Sequence, residues 1–96
     1  MSSARSAVYI HADAPITAPE WETFCAENRI IYSPKTIGGN IYYRGDTEIR
    51  FSANHVTVST YWKGNLLGVA SVARAILARW SARFEFDKEL RTLMLD

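Results

Sequence analysis

His11 and Asp13 are the pair in this chain best suited to moving a proton, one an imidazole that titrates near neutrality and the other a carboxylate that could orient it. They stand where an alternating run, AVYIHA, gives way to a helix start, a place where α/β proteins often carry working groups. No second histidine or cysteine lies at metal-ligand spacing beside them, and His55 belongs to a separate strand, so neither a metal nor another cofactor is expected. Cys25 reads as a small buried helix residue that could act as a nucleophile only if folding brought it a histidine. Glu20 and Glu22 are better explained by a helix N-terminus than by acid–base work. The glycine pair of KTIGGN, next to Lys35, could cradle a phosphate, but no lysine follows the last glycine as it does in a P-loop. With no reaction motif, a non-enzymatic role is expected. A small enzyme or ligand-binding domain with its site near His11 is an alternative.

A second group of residues could do binding chemistry. If one sheet face carries Tyr42, Arg44, Arg50, His55, Tyr61 and Lys63, relieved only by Glu48, its rings can stack bases and its cations can hold phosphates. The ordinary reading of the same residues is a solvated antiparallel face, on which tyrosine, threonine and arginine are common.

These groups must be positioned by strands and two helices. Val8, Ile10 and Ala12 alternate with Tyr9 and His11, as a strand with one better-buried side would. ITAPEWETFCAEN begins like a helix: Thr17 as N-cap, Pro19 in the first turn, and Glu20 three residues after the cap to close a capping box. Ile16 could staple to Trp21, and Asn28 is a stop. RIIYSP is a short strand closed by Pro34. IYYRGDTEIRF is a hairpin whose polarity favours a three-residue loop at Gly45–Thr47, pairing Arg44 with Glu48, Tyr43 with Ile49 and Ile41 with Phe51. The Arg44-Gly45-Asp46 tripeptide, which integrins read elsewhere, is here expected to be only a hairpin tip. NHVTVSTYWK places Val56, Val58, Thr60 and Trp62 inward, and Asn65 caps the last helix. The expected class is α+β: a β-α-β-β-β-α two-layer sandwich, mostly antiparallel, with helices on one face and a C-terminal helical extension. Residues 1–96 form one domain, with 85–96 as a helical tail. A helix, three strands and a helix in that order resembles the double-stranded-RNA-binding domain, but the turn GNLLGVA lacks the cations that such a domain carries there, so the family is not supported.

The stretch GVASVARAILARWSARFEF reads as one amphipathic helix. Leu66, Val69, Ala70, Ala73, Ile76, Leu77, Trp80 and Phe84 make its core stripe. The opposite side, Gly68, Ser71, Ala75, Ala78 and Ala82, is a seam of small residues flanked by Arg74, Arg79 and Arg83. No glycine or proline interrupts the sequel, and a continuing helix would swing Phe86, Leu90, Leu93 and Met94 toward that seam, where they would need cover. A homodimer pairing these surfaces is the favoured expectation. A tail folded back within the monomer, breaking near Asp87 as a cap, and a foreign protein on the seam are the alternatives.

Composition bounds the answer. Ninety-six residues suit one core, and 48% hydrophobic with 22% charged residues argues for a globular fold. Net charge is +1, but residues 29–83 carry eight lysines and arginines against Asp46 and Glu48, a segregation that could orient a partner or attract phosphate. No apolar run reaches the roughly 18 residues of a membrane span, and the N-terminal apolar block is too short for a secretory signal. A cytoplasmic location without membrane contact is therefore expected, and the single cysteine agrees with it. The leading expectation is a protein-binding module, an inhibitor or adaptor of the sort that phages encode against host defence complexes. Nucleic-acid binding by the sheet is the runner-up.

Overall fold

Alternation in RSAVYIHA produces β1 (Arg5–Ala12), which runs through the sheet interior and buries Val8 and Ile10 on one side. The computed structural model describes residues 4–34 and 39–95. Lys35 to Gly38 lie outside the described residues, and with them the phosphate reading of that loop. Helix α1 (Ala18–Glu27) starts as its sequence predicts: the Thr17 hydroxyl accepts from the Glu20 N–H, the Glu20 carboxylate closes the box, and Asn28 ends the helix. Ile16 and Trp21 are both buried in the core that follows. Next come β2 (Ile31–Tyr32), β3 (Ile41–Arg44), β4 (Thr47–Ser52), β5 (His55–Tyr61) and α2 (Leu66–Arg79). The chain ends in β6 (Ala82–Phe86), a 3-10 turn at Lys88–Leu90 and α3 (Arg91–Leu95).

The strands form one antiparallel sheet in the order β2-β3-β4-β5-β1-β6, covered on one face by the helices, so the protein is an α+β two-layer fold. Beneath α1 the core is aromatic. Trp21 stacks on Phe51 with ring centroids 4.3 Å apart and meets Phe24, Tyr42 and Trp80 on its other sides. Burial of such large rings is the main stabilising contribution of this half of the molecule.

The structure corrects three expectations. The β3–β4 hairpin turns on two residues, Gly45 and Asp46, and pairs Arg44 with Thr47, Tyr43 with Glu48, Tyr42 with Ile49 and Ile41 with Arg50. Gly45 has φ +62°, the conformation that a two-residue hairpin takes with glycine in its first central position. Because strand side chains alternate, this slip of one residue exchanges the faces of β3: Tyr42 and Arg44 sit under the helices and Tyr43 points away from them. Arg44 tolerates that side because its stem lies along the sheet while its guanidinium donates to the Asn28 carbonyl and the Ser71 hydroxyl.

Trp62 is not inward either. Strand β5 ends at Tyr61, Lys63 takes a positive φ of 62°, and the indole is left exposed with the Lys63 ammonium 4.6 Å from its ring centre. Finally, the last helix does not continue into the tail. Trp80 is already extended (φ −127°, ψ 143°), and residues 82–86 become an edge strand on β1. The reason is written in ARFEF, where Ala82, Phe84 and Phe86 alternate with Arg83 and Glu85 at the strand period. That pattern satisfies the open edge of β1 and packs both phenyl rings against the core.

Beyond β6 the chain turns back on its own molecule. Asp87 accepts from the Ala7 N–H at 2.9 Å and returns its own N–H to the Ala7 carbonyl at 3.0 Å. Leu90 and Met94 are buried and Leu93 packs beside them, so α3 closes the core against α2. No helix among the described residues is long and apolar enough to cross a membrane.

Candidate functional site

The face of the sheet opposite the helices carries the candidate site. Directly opposed residues of antiparallel strands share a face. At the β6 end of the sheet, His11 of β1 stands between His55 of β5 and Arg83 of β6, and Tyr9 stands between Thr57 and Glu85. These six residues, with Ile10 and Phe84, line a concavity of about 500 Å³.

A tight turn between β4 and β5 reaches His11. Its Asn54 receives the Ala12 N–H on its carbonyl, and its side-chain nitrogen lies 3.4 Å from the Ala12 carbonyl and 3.2 Å from His11 Nε2. A nitrogen shared with a carbonyl must donate, so His11 Nε2 accepts and the neutral imidazole is favoured. Desolvation, then the neighbouring His55 and Arg83, hold the His11 pKa below its ordinary value, against the opposing pull of Asp13. The two imidazoles meet edge to face with centroids 4.2 Å apart. Asp13 is engaged elsewhere, accepting from the Ser81 hydroxyl, so His11 is hydrogen-bonded to Asn54 and not to Asp13. Cys25 lies in the core beneath α1, on the other side of the sheet from both histidines, and burial pushes its thiol up to about 11. Neither arrangement assembles the proton-transfer pair or the nucleophile considered from sequence.

Further along the same face a second cluster surrounds Tyr43 and Tyr61. The Arg5 guanidinium sits 4.7 Å from the Tyr61 ring centre and donates to the Ser59 hydroxyl at 3.1 Å. Glu48 accepts from Tyr43 at 3.3 Å and pairs with Arg50 at 2.9 Å. Desolvation first, then the Glu48 charge, raises the Tyr43 pKa. The open face therefore presents three tyrosines, Tyr9 (47% exposed), Tyr43 (37%) and Tyr61 (62%), among Arg5, Arg50 and Arg83.

Of the sheet residues named from sequence, Arg50, His55 and Tyr61 lie on this face. Tyr42 and Arg44 lie beneath the helices, and Lys63 lies beyond the end of β5. Tyr9, Tyr43, Arg5 and Glu85 were missed; alternation alone assigns Tyr9 and Arg5 to the His11 side of β1, and only the wrong hairpin loop hid Tyr43.

The helical seam is dispersed. Gly68, Ser71, Ala75 and Ala78 remain on α2, but Ala82 and Phe86 belong to β6, and Leu90 and Leu93 pack in the core or against it. The Gly68 N–H is capped by Asn65 at 2.9 Å, and a Cβ there would come within 2.9 Å of the Thr47 hydroxyl. Arg79 pairs with Glu27 at 3.0 Å, while Arg83 lies on the far side of the sheet.

Among the described residues, no group of three or more His, Cys, Asp or Glu side chains is placed to hold a metal ion. No protein-family model, curated protein or solved structure matches this chain.

Proposed function

We propose that this protein binds single-stranded nucleic acid on the open face of its sheet. The observation that carries the reading is the gathering, on one face left uncovered by the helices, of three exposed tyrosine rings and three arginines drawn from five strands, β1, β3, β4, β5 and β6. Tyrosine rings stack on bases of any identity, and arginines contact the phosphates between them. Unpaired strands expose base faces to such rings, whereas a duplex hides them.

The competing reading is an adaptor or inhibitor that pairs with a second copy or a foreign protein through α2. It drew its force from an apolar tail in need of cover, and Leu90 and Met94 find that cover in their own core. Among the described residues, the open face has no such internal partner.

The test is fluorescence anisotropy with labelled single-stranded oligonucleotides at increasing salt. If all three arginines contact phosphate, the logarithm of affinity falls against the logarithm of salt with a slope of about −2. Tyr61→Ala weakens binding by roughly 1–3 kcal/mol, the usual worth of one stacked base. Absence of binding at low salt, or binding indifferent to Arg50→Glu and Tyr61→Ala, overturns the proposal.

A further inference from the structure

The concavity at the β6 end of the open face has a chemistry more specific than stacking. Two of its β1 residues, Tyr9 and His11, are next neighbours on one face of the strand, about 6.7 Å apart along it. That interval admits one flat ring between two others at van der Waals distance. On the β6 side the same interval separates Arg83, opposite His11, from Glu85, opposite Tyr9. Neither the Arg83 nor the Glu85 side chain has a hydrogen-bond or ion-pair partner among the described residues, although both line the concavity. A fork of donors and a pair of acceptors thus stand side by side, their side chains unspent, along one wall of a concavity whose β1 positions Tyr9 and His11 leave room for a flat ring, a slot one base thick.

We infer that this slot selects a guanine base, resting on the reading of the sheet as a single-strand binding surface. Guanine has two adjacent acceptors, O6 and N7, that match a guanidinium, as in the commonest arginine contact to a base. It also has two adjacent donors, N1–H and the N2 amino group, that match a carboxylate. The other bases fail at Glu85. Adenine and cytosine set an acceptor nitrogen beside their amino group, and uracil flanks its one N–H with two carbonyls, so each would push lone pairs against the carboxylate. A free phosphate would be repelled by the same group. His55 and Thr57 close the β5 side with a ring and a hydroxyl.

The experiment compares heptamers that differ only at the central base: seven uridines, and the same strand with guanosine, adenosine, cytidine or inosine in the middle. Guanosine should bind about tenfold tighter than uridine, the scale of one bidentate pair. Inosine, which lacks the N2 amino group, should fall between them. In Glu85→Gln the guanosine-to-uridine ratio should drop to near one. A parallel titration follows the His11 and His55 ring resonances with each free nucleoside monophosphate. Strands that bind with no preference for guanosine, or a preference that survives Glu85→Gln, overturn the inference and leave the sheet reading standing. Strands that do not bind, while guanosine monophosphate alone shifts the histidine resonances, support the slot and overturn the sheet reading. Silence in both measurements overturns both.

Discussion

Leu90→Ala is the substitution that tests whether the tail belongs to its own molecule. Leu90 is 0% exposed and sits with Val8, Val72 and Ile76 in the core, on a 3-10 turn that the sequence alone places in a helical tail covered by a second copy. Truncating a fully enclosed leucine removes its transfer free energy and leaves a cavity, together about 2.7–5 kcal/mol. A domain of this length is stabilised by only about 5–14 kcal/mol, so the loss is a large fraction of the whole. At about 4–8 °C per kcal/mol, the midpoint should fall by roughly 10–40 °C. Leu95, on the same segment but 54% exposed, is the control, and Leu95→Ala should stay within about 0.5 kcal/mol of the parent. The assay is thermal unfolding by circular dichroism at two protein concentrations well apart, with the mass measured by light scattering. A self-contained core gives a midpoint independent of concentration, whereas a tail covered by a second copy makes it rise with concentration. Equal midpoints for Leu90→Ala and Leu95→Ala, or a dimer with a concentration-dependent midpoint, would refute the reasoning.

Four other outcomes follow from the same geometry. Gly45→Ala forces a side chain into a φ of +62° and should cost about 1–2 kcal/mol in denaturant unfolding, with no change in the slope of the transition. Asp87→Ala orphans the buried Ala7 N–H and should cost about 1–3 kcal/mol, visible also as faster hydrogen exchange along β6. Acidification should weaken the fold in two steps. Below the ordinary histidine value of 6.5 the unfolded chain takes up a proton that folded His11 resists, so stability present above 6.5 declines until His11 itself titrates; His11→Gln should remove that step. The Thr17 hydroxyl holds the Glu20 carboxyl below 4.5, so a second loss begins near that value as pH falls and is reduced in Thr17→Ala. The Cys25 thiol, pushed up by burial to about 11, should resist thiol reagents at neutral pH until denaturant is added.

Local grammar was legible wherever one short-range rule decided the outcome. Thr17 and Glu20 announce α1, Asn65 announces α2, and the alternation of β1 and β5 places Val8, Ile10, Val56 and Val58 in the core. Legibility failed where two periods competed or a long side chain could go either way. Phe84 fits both a helical stripe ending at Trp80 and a strand with Ala82 and Phe86. Only the unpaired edge of β1, a tertiary fact, settles it. In the hairpin, placing Arg44 outward seemed required by its charge, yet the Asn28 carbonyl and the Ser71 hydroxyl, 16 and 27 residues away in sequence, are waiting on the inner side. The same two errors hid the site. Reading β6 as helix put Arg83 on a seam and left Glu85 without a role, and the wrong loop exchanged Tyr42 for Tyr43. His55 looked remote from His11 because strand adjacency is a property of topology, and 44 residues of chain separate two rings that touch.

The position of β6 explains how binding chemistry could be held in place at the edge of this sheet. An edge strand has one neighbour, so its outward backbone groups are free and its side chains are held from one side only. Here the hold is reinforced at its far end by the paired Asp87 and Ala7 contacts and by the Leu90 turn buried beneath them. The core therefore positions Arg83 and Glu85 through the tail that follows them, although neither residue is itself buried. Alternation then divides the labour of the strand: Phe84 and Phe86 anchor it to the helices' side, and the intervening arginine and glutamate are left to face whatever enters beside Tyr9 and His11. Residues 82–95, which read from sequence as an interface for a second molecule, act in the structure as the clamp that completes the candidate site.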